Sequence, residues 1–180
     1  YIDIFSLNYF KTSYEIGIYK AAFVVSGFIG ILPHSLTYMF YPKMSSLISQ
    51  KYNIIEVKNT FSSISKISYF LSLFALFFIL LNGSFLIKVI YGNQYSDSIE
   101  PLIYLSIAQF FVYATGPTGS MLNSLGKTKQ TMFCNITAGV VNILLNIPLV
   151  FYFGVVGVAV STAISLIIRN IMTLFFIKQN

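Results

Sequence analysis

Residues 64–81 read ISKISYFLSLFALFFILL, and this stretch decides the fold class. It is the most apolar part of the chain, and Lys66 is the only charged residue in it. A helix needs about 20 mostly apolar residues to cross roughly 30 Å of hydrocarbon. Because a helix on a soluble protein keeps one polar face, this stretch indicates a membrane-spanning helix.

The composition extends that interpretation to the whole chain. Of its 180 residues, 56% are hydrophobic and only 9% are charged, and the mean hydropathy is +0.77. A soluble domain usually carries about 25% charged residues. A globule so poor in charge would have too little polar surface to cover itself, whereas in lipid apolar side chains face outward. We therefore predict an all-α, polytopic transmembrane helix bundle.

Further apolar runs lie on both sides of this stretch. The predicted complete spans are residues 16–41, 64–81, 101–122, 132–153 and 155–177, and residues 1–10 read as the end of a sixth. Pro42 marks the expected end of the first span. Because the chain opens inside an apolar segment and Tyr1 is not an initiator, we expect a missing N-terminal part. Internal prolines predict kinks in three spans, which serve either transport or plain packing.

The lysines indicate which side of the membrane each loop faces. Seven of them fall in or beside alternate loops, which places these loops on one side: Lys43, Lys51, Lys58, Lys66, Lys127, Lys129 and Lys178. Lys11 and Lys88 fall on the opposite side, with most of the acidic residues. Since basic loops stay inside, the seven-lysine side is predicted to be cytoplasmic. The basic residues are scattered over span ends and form no basic face, so no nucleic acid is expected as a partner.

The last predicted span carries the most informative polar residue, Arg169. It shares a helix face with Thr162, Ser165 and Thr173 and lies about eight residues from the predicted cytoplasmic end. One interpretation is that its long side chain reaches the interface. The other places the guanidinium in an interior cavity, where it suits a phosphate. The sequence leaves both open.

Five other polar residues within the predicted spans are candidates for lining a cavity: His34, Gln109, Lys20, Asn142 and Asp3. His34 follows a proline, Gln109 belongs to a polar stripe, and Asn142 shares a face with two further asparagines. Lys20 lies near the outer end of its span. Each has a structural alternative, namely an interhelical hydrogen bond or, for Lys20, anchoring at the interface.

Catalytic and metal-binding patterns are missing from the sequence. His34 is the one histidine, the lone Cys134 has no second thiol, and no pair of acids is placed for acid–base chemistry. We therefore expect neither an enzyme, nor a cofactor, nor a metal site.

Short motifs then suggest a family. In order along the chain they are EIGIYKAA at 15–22, PKMS at 42–45, YGNQY at 91–95, LGKTK at 125–129, and NILLN at 142–146 followed by YFGVVGVA at 152–159. Together they resemble motifs of bacterial polysaccharide and O-antigen flippases. These flippases belong to the multidrug/oligosaccharidyl-lipid/polysaccharide exporter superfamily, and the resemblance covers nearly the whole chain. The chain departs from the family in having Ser161-Thr162 where alanine and threonine are common.

The resemblance implies one half of a two-bundle exporter that works by alternating access. Residues 1–180 would form its C-terminal bundle, in the bacterial cytoplasmic membrane. The implied substrate is an oligosaccharide linked to undecaprenyl pyrophosphate, turned toward the periplasm for O-antigen, capsule or exopolysaccharide assembly. Implied partners are membrane lipids, the N-terminal half of the protein, a polysaccharide polymerase and a chain-length regulator. No motif of the family fixes a pyrophosphate-binding role for Arg169 or His34.

Three alternatives remain at this point. A cation-coupled multidrug antiporter of the same superfamily would need carboxylates in its spans, and only Asp3 qualifies. A membrane enzyme of polysaccharide assembly, such as a polymerase or acyltransferase, usually needs a large external loop or a histidine with a catalytic partner. A membrane scaffold without transport activity would need no site at all.

Overall fold

The computed structural model describes Asp3, Leu7 and residues 12–49 and 54–179, and every regular element in this part of the chain is helical. The helices are α1 (Ser13–Ser49), α2 (Ile54–Tyr91), α3 (Ile99–Ala114), α4 (Thr118–Ser124) and α5 (Thr128–Lys178). A short 3-10 helix, Asn93–Ser98, joins α2 to α3. The predicted all-α class is confirmed.

Three helices are long and apolar enough to cross a membrane: Ser13–Ile48, Ile55–Tyr91 and Thr128–Lys178. Their outward faces are rich in large apolar side chains. On α2, Phe74 is 75% exposed and Leu81 is 82% exposed. Such a surface is stable against lipid and costly against water. The chain is a multi-pass membrane protein, while the predicted number of spans stays a prediction.

Helix α5 is a hairpin of two antiparallel arms. Gly154 leaves helical geometry, with φ 56° and ψ −133°. The chain reverses at this break, so that the side chains of Asn142, before it, and Ser165, after it, lie 3.5 Å apart. In a straight helix they would lie about 35 Å apart, at 1.5 Å per residue. The reversal falls between the predicted spans 132–153 and 155–177, which occupy the first arm (residues 128–153) and the second arm (residues 155–178).

The predicted span 101–122 is interrupted where we expected it to be. Helix α3 ends at Ala114 and α4 begins at Thr118, so the break covers residues 115–117. Gly116 has a φ of +81°, a conformation that favours glycine. A Cβ on Gly116 would also overlap Ser65 of α2. Ser65 donates a hydrogen bond to the main-chain oxygen of Thr115 at 3.2 Å, which ties α2 to the break.

The first helix continues beyond the position where Pro42 was expected to end it. Both Pro33 and Pro42 lie inside α1, which reaches Ser49. A proline removes one hydrogen bond from the helix, and packing against a neighbouring helix offsets that loss. Phe40 and Met44 are buried against residues of α2 such as Val57. The predicted spans 16–41 and 64–81 therefore lie inside longer helices.

The packing groups the loops at two ends of the bundle as the lysine pattern does, while the side of the membrane that each end faces stays a prediction. The lysine-bearing segments meet at one end, where Leu47, Val57, Leu125 and Ile177 belong to one apolar cluster. Residues of the predicted opposite side meet at the other end, where one surface depression is lined by Glu15, Asp97, Glu100 and Val155, among others. The side assignment of these loops is thus consistent with the packing. Lys11 and Lys51 lie outside the described residues.

The main core lies among α1, α2, α3 and α5, toward the end opposite the lysines. Its buried members include Tyr19 and Val25 of α1, Leu105 of α3 and Val158 of α5. This core holds the helices together on one side of two polar cavities.

Candidate functional site

Two polar cavities lie among α1, α3, α4 and α5. The first, which we call the His34 cavity, has a volume of about 440 Å³. Its polar lining residues are His34, Thr37, Ser68, Tyr113, Thr118, Ser120, Asn123, Thr131, Asn135, Arg169, Asn170 and Thr173. The second, the Gln109 cavity, has a volume of about 570 Å³. Its polar lining residues are Asp3, Gln109, Tyr113, Asn135, Asn142, Thr162, Ser165 and Arg169.

The two cavities share a wall. Both cavities are lined by the same four residues, Val112, Tyr113, Asn135 and Arg169. Arg169 is half-buried, and no Asp or Glu is among the described residues that line the His34 cavity. On the side of the His34 cavity the Arg169 guanidinium attracts an anion strongly, because a site sheltered from water screens charge poorly, whereas Asp3 also lines the Gln109 cavity. The shared wall therefore offers one guanidinium to a ligand in either cavity.

The structure brings together five of the six residues predicted from the sequence. Arg169 and His34 line the His34 cavity, and Arg169, Gln109, Asn142 and Asp3 line the Gln109 cavity. Lys20 is different: its side chain is exposed on α1 and lines neither cavity. Whether Lys20 nevertheless takes part in substrate binding stays a prediction. Whether the other five bind a substrate stays a prediction.

His34 lies at the edge of its cavity and not in a buried pocket. Its side chain is exposed, and its ring makes an edge-to-face contact with Tyr38, with 5.1 Å between ring centroids. An exposed imidazole has a low cost of desolvation and is free to meet a ligand at the mouth of the cavity.

Asp3 is the acceptor of a buried hydrogen-bond network. One carboxylate oxygen accepts a hydrogen bond from the hydroxyl of Tyr19 at 3.0 Å. The other accepts one from the amide of Asn146 at 3.0 Å. The Tyr19 hydroxyl also lies 3.1 Å from that of Thr162. The network joins α1 to both arms of α5, so the expected need of Asp3 for partners is met within the bundle.

Asn142 is only partly satisfied. Its amide group donates a weak hydrogen bond of 3.5 Å to the hydroxyl of Ser165. Its carbonyl oxygen, Oδ1, is buried and accepts no hydrogen bond from any residue that the structure describes. The expected hydrogen bond between helices is present, and an acceptor at the Gln109 cavity is left over.

Sequence reasoning missed Asn170. Its side chain is buried beside the break between α3 and α4, and it donates a hydrogen bond to the main-chain oxygen of Phe111 at 2.9 Å. A single asparagine next to Arg169 carries no periodic signal, and its partner lies 59 positions earlier in the chain. The hydroxyl and amide residues Thr37, Asn123 and Thr131, which line the His34 cavity, were also missed.

Comparison with known proteins yields distant relatives. The chain is 22% identical over 179 residues to probable low-salt glycan biosynthesis flippase Agl15 of Haloferax volcanii, covering 99% of this chain and 38% of the relative. It is 25% identical over 176 residues to probable flippase AglR of the same archaeon, covering 96% of this chain and 36% of the relative. It is 23% identical over 177 residues to a protein of Escherichia coli K12 provisionally named O-antigen transporter, covering 97% of this chain and 42% of that protein.

The chain thus spans about two fifths of the length of the curated relatives it matches. No protein-family model matches it, and no solved structure does either. These likenesses support the resemblance to polysaccharide flippases, and they add nothing about individual site residues.

Proposed function

We propose that the chain is the C-terminal bundle of a flippase that moves an oligosaccharide linked to undecaprenyl pyrophosphate across the cytoplasmic membrane by alternating access. The observation that carries the proposal is the position of Arg169, at the shared wall of two polar cavities inside an apolar bundle. The names of the relatives, two flippases and one transporter, support transport and not catalysis. We therefore class the chain with transport proteins and not with enzymes.

The physical problem for such a protein is to keep a charged, sugar-bearing headgroup out of hydrocarbon while the lipid tail stays in the bilayer. Moving an unpaired charge into the bilayer centre is costly. A guanidinium offers paired N–H donors that match phosphate oxygens. Around Arg169, side chains such as Asn135, Ser120 and Thr173 add hydroxyl and amide groups without adding negative charge. This set suits a phosphate ester with polar neighbours.

The length of the relatives supports a larger assembly. The chain spans about two fifths of its relatives' length, and the proposed missing partner is an N-terminal bundle of the same protein. The opposite wall of a central passage would come from that bundle. A polysaccharide polymerase, a chain-length regulator and membrane lipids are further proposed partners. For the membrane itself we propose the bacterial cytoplasmic membrane, with the lysine-bearing end inside.

A cation-coupled multidrug antiporter of the same superfamily is the alternative that one specific observation favours. Asp3 is the carboxylate in the bundle interior that such coupling would need, and it already contacts Tyr19 and Asn146. A drug antiporter would confer resistance on a sensitive host, and its loss would leave surface polysaccharide unchanged. These two phenotypes separate the alternatives.

The test uses a strain from which the full-length gene has been deleted, and it measures the surface polysaccharide, which we expect to be lost. Complementation with the native gene should restore surface polysaccharide. Arg169→Ala should lower the amount exported at least about tenfold, because the lost charge-assisted hydrogen bonds are among the stronger ones in proteins. The control is Lys88→Gln, which removes an exposed cation from the last turn of α2. It should complement fully.

Two results would count against the proposal. A deletion strain with normal surface polysaccharide would remove the transport function altogether. Full export by both Arg169→Ala and Arg169→Lys would instead remove Arg169 from the site.

A further inference from the structure

We infer that the Gln109 cavity is a glycosyl subsite, which holds the sugar next to the phosphate that Arg169 binds. The inference rests on the proposed function, and it assigns one part of the substrate, the first sugar, to this cavity. Four features of the cavity support it: the hydrogen-bonding character of the lining, the unpaired oxygen of Asn142, the two aromatic rings and the position of Arg169.

The lining of the Gln109 cavity is rich in hydrogen-bond acceptors. Gln109, Asn135 and Asn142 each contribute an amide oxygen, and Asp3 contributes a carboxylate. The amides also offer N–H donors, but the Asp3 carboxylate repels a phosphate, which is itself anionic and has almost no proton to donate. A sugar hydroxyl donates and accepts, which makes a polyol the better match.

Asn142 provides the specific signal for a ligand. Its side chain is only 7% exposed, it lines the cavity, and its Oδ1 accepts no hydrogen bond from any described residue. A buried acceptor without a donor costs about 1–3 kcal/mol. Oδ1 itself has almost no accessible surface, so a small rotation of the amide toward the cavity would let a sugar hydroxyl donate to Oδ1 and recover that cost. Turning the amide over would not pair this oxygen. The Ser165 hydroxyl, which now accepts from the Asn142 amide, already donates its own proton to the main-chain oxygen of Thr162.

Two aromatic side chains complete the cavity. Phe23 and Tyr113 line it together with the aliphatic residues Val112, Ala138 and Leu166. Sites for small organic molecules combine apolar and aromatic walls with a few polar groups, and they usually measure about 300–1,000 Å³. The Gln109 cavity, at about 570 Å³, falls in this range. A pyranose ring has an apolar face of C–H groups for such walls and hydroxyls for the amides at its rim.

The position of Arg169 fixes the order of the groups. Since Arg169 lies on the wall between both cavities, a phosphate on its guanidinium is in contact with the Gln109 cavity. In a glycosyl pyrophosphate the first sugar is bonded directly to the phosphate. The sugar would therefore enter the Gln109 cavity while the phosphate keeps its contact with Arg169.

The experiment measures the affinity of the detergent-solubilised, full-length protein for defined lipids. The probes are farnesyl diphosphate and its conjugates with glucose, galactose and N-acetylglucosamine, titrated with either potassium or sodium as the only metal cation. The quantity of interest is the ratio of affinities with and without the sugar. It is compared between the native protein, Asn142→Leu, Gln109→Leu and the control Asn82→Leu, whose residue lies on α2 away from both cavities.

We expect at least one conjugate to bind the native protein more tightly than farnesyl diphosphate. In Asn142→Leu and Gln109→Leu that ratio should fall about tenfold, the effect of one lost hydrogen bond. It should keep its native value in Asn82→Leu. Gln109 makes no side-chain hydrogen bond within the described residues and is half-buried, so Gln109→Leu decides the question if Asn142→Leu does not fold.

Three outcomes would overturn the inference. The first is that no conjugate gains affinity over farnesyl diphosphate in the native protein. The second is an unchanged ratio in the folded variants. The third is that Asn142→Leu changes the affinities for farnesyl diphosphate and for its conjugates by the same factor, and does so only in sodium. That result would indicate a cation site formed by the oxygens of Asn142, Asn146 and Asp3. Failure of the native protein to bind farnesyl diphosphate at all would instead count against the proposed function.

Discussion

The side-chain amide of Asn170 donates a hydrogen bond of 2.9 Å to the main-chain oxygen of Phe111. That oxygen lies in the last turn of α3, where the N–H of Thr115 turns to Tyr113 and no longer serves Phe111. Asn170 also donates to the hydroxyl of Thr115 at 2.9 Å, and it accepts from Thr118 at 3.2 Å. One buried amide thus connects α3, the break and α4 to the second arm of α5. In a membrane interior, such a partner is what allows a helix to break.

Substitution of Asn170 tests this role. Asn170→Ala leaves the Phe111 oxygen without its donor, and we expect it to lower the free energy of unfolding by about 1–3 kcal/mol. The measurement is thermal unfolding of the full-length protein in detergent. Asn82→Ala is the matched control, because Asn82 donates only to Phe78 of its own helix. Equal melting temperatures for the two variants would contradict the role of Asn170.

A second prediction concerns the contact between Gly30 and Tyr113. A Cβ on Gly30 would overlap the ring of Tyr113, whereas one on Gly27, a turn earlier on α1, would have no neighbour within 4 Å. The Tyr113 ring lines both cavities. In Gly30→Ala we therefore expect the ring to be forced off its rotamer at a cost of about 0.5–1.5 kcal/mol, which would slow transport of the lipid-linked sugar by up to about tenfold.

Gly27→Ala separates this effect from a general loss of glycine. Alanine at an uncrowded helix position stabilises by up to about 1 kcal/mol, so this variant should transport at the native rate. The rate is measured in vesicles that contain the full-length protein. If Gly30→Ala transports as fast as Gly27→Ala, then Tyr113 does not shape the site.

Much of this architecture could be predicted from the sequence, because membranes impose strong and simple constraints. Apolar runs predicted the helices, and lysines predicted which loops share an end. Polar spacing predicted that Gln109 and Asn142 face the interior. The same spacing could not tell that the Lys20 side chain is exposed and lines neither cavity. A shared helix face does not show how far the neighbouring helices cover each residue on it. Pairings such as Asn170 with Phe111 depend on where one helix breaks beside another, and no local pattern records that.

A third prediction concerns the hairpin of α5. A Cβ on Gly157 would overlap the main-chain oxygen of Leu149, and a backbone atom cannot rotate away as a side chain can. We expect Gly157→Ala to destabilise the protein by roughly 3 kcal/mol, since the two arms would have to separate. Gly139→Ala, on the first arm with no neighbour within 4 Å, is the control. A melting temperature of Gly157→Ala at or above that of Gly139→Ala would show that the arms are not packed this closely.

The last prediction concerns the hydroxyl of Tyr19, which connects three elements with one atom. It donates to Asp3 at 3.0 Å and lies 3.1 Å from the hydroxyl of Thr162. Tyr19→Phe keeps the buried ring, which is only 2% exposed, and removes the hydroxyl alone. One oxygen of Asp3 then loses its donor, and we expect a loss of about 1–3 kcal/mol in stability.

The control for this change is Tyr152→Phe, which removes a hydroxyl from a side chain that is 83% exposed. It should leave the melting temperature unchanged. A second background then tells whether the hydroxyl acts through Asp3 or through Thr162. If Tyr19 acts through Asp3, the loss caused by Tyr19→Phe should shrink by at least about half in an Asp3→Ala background, because contacting residues are not additive. An undiminished loss in that background would place the effect of the hydroxyl on Thr162 instead of Asp3.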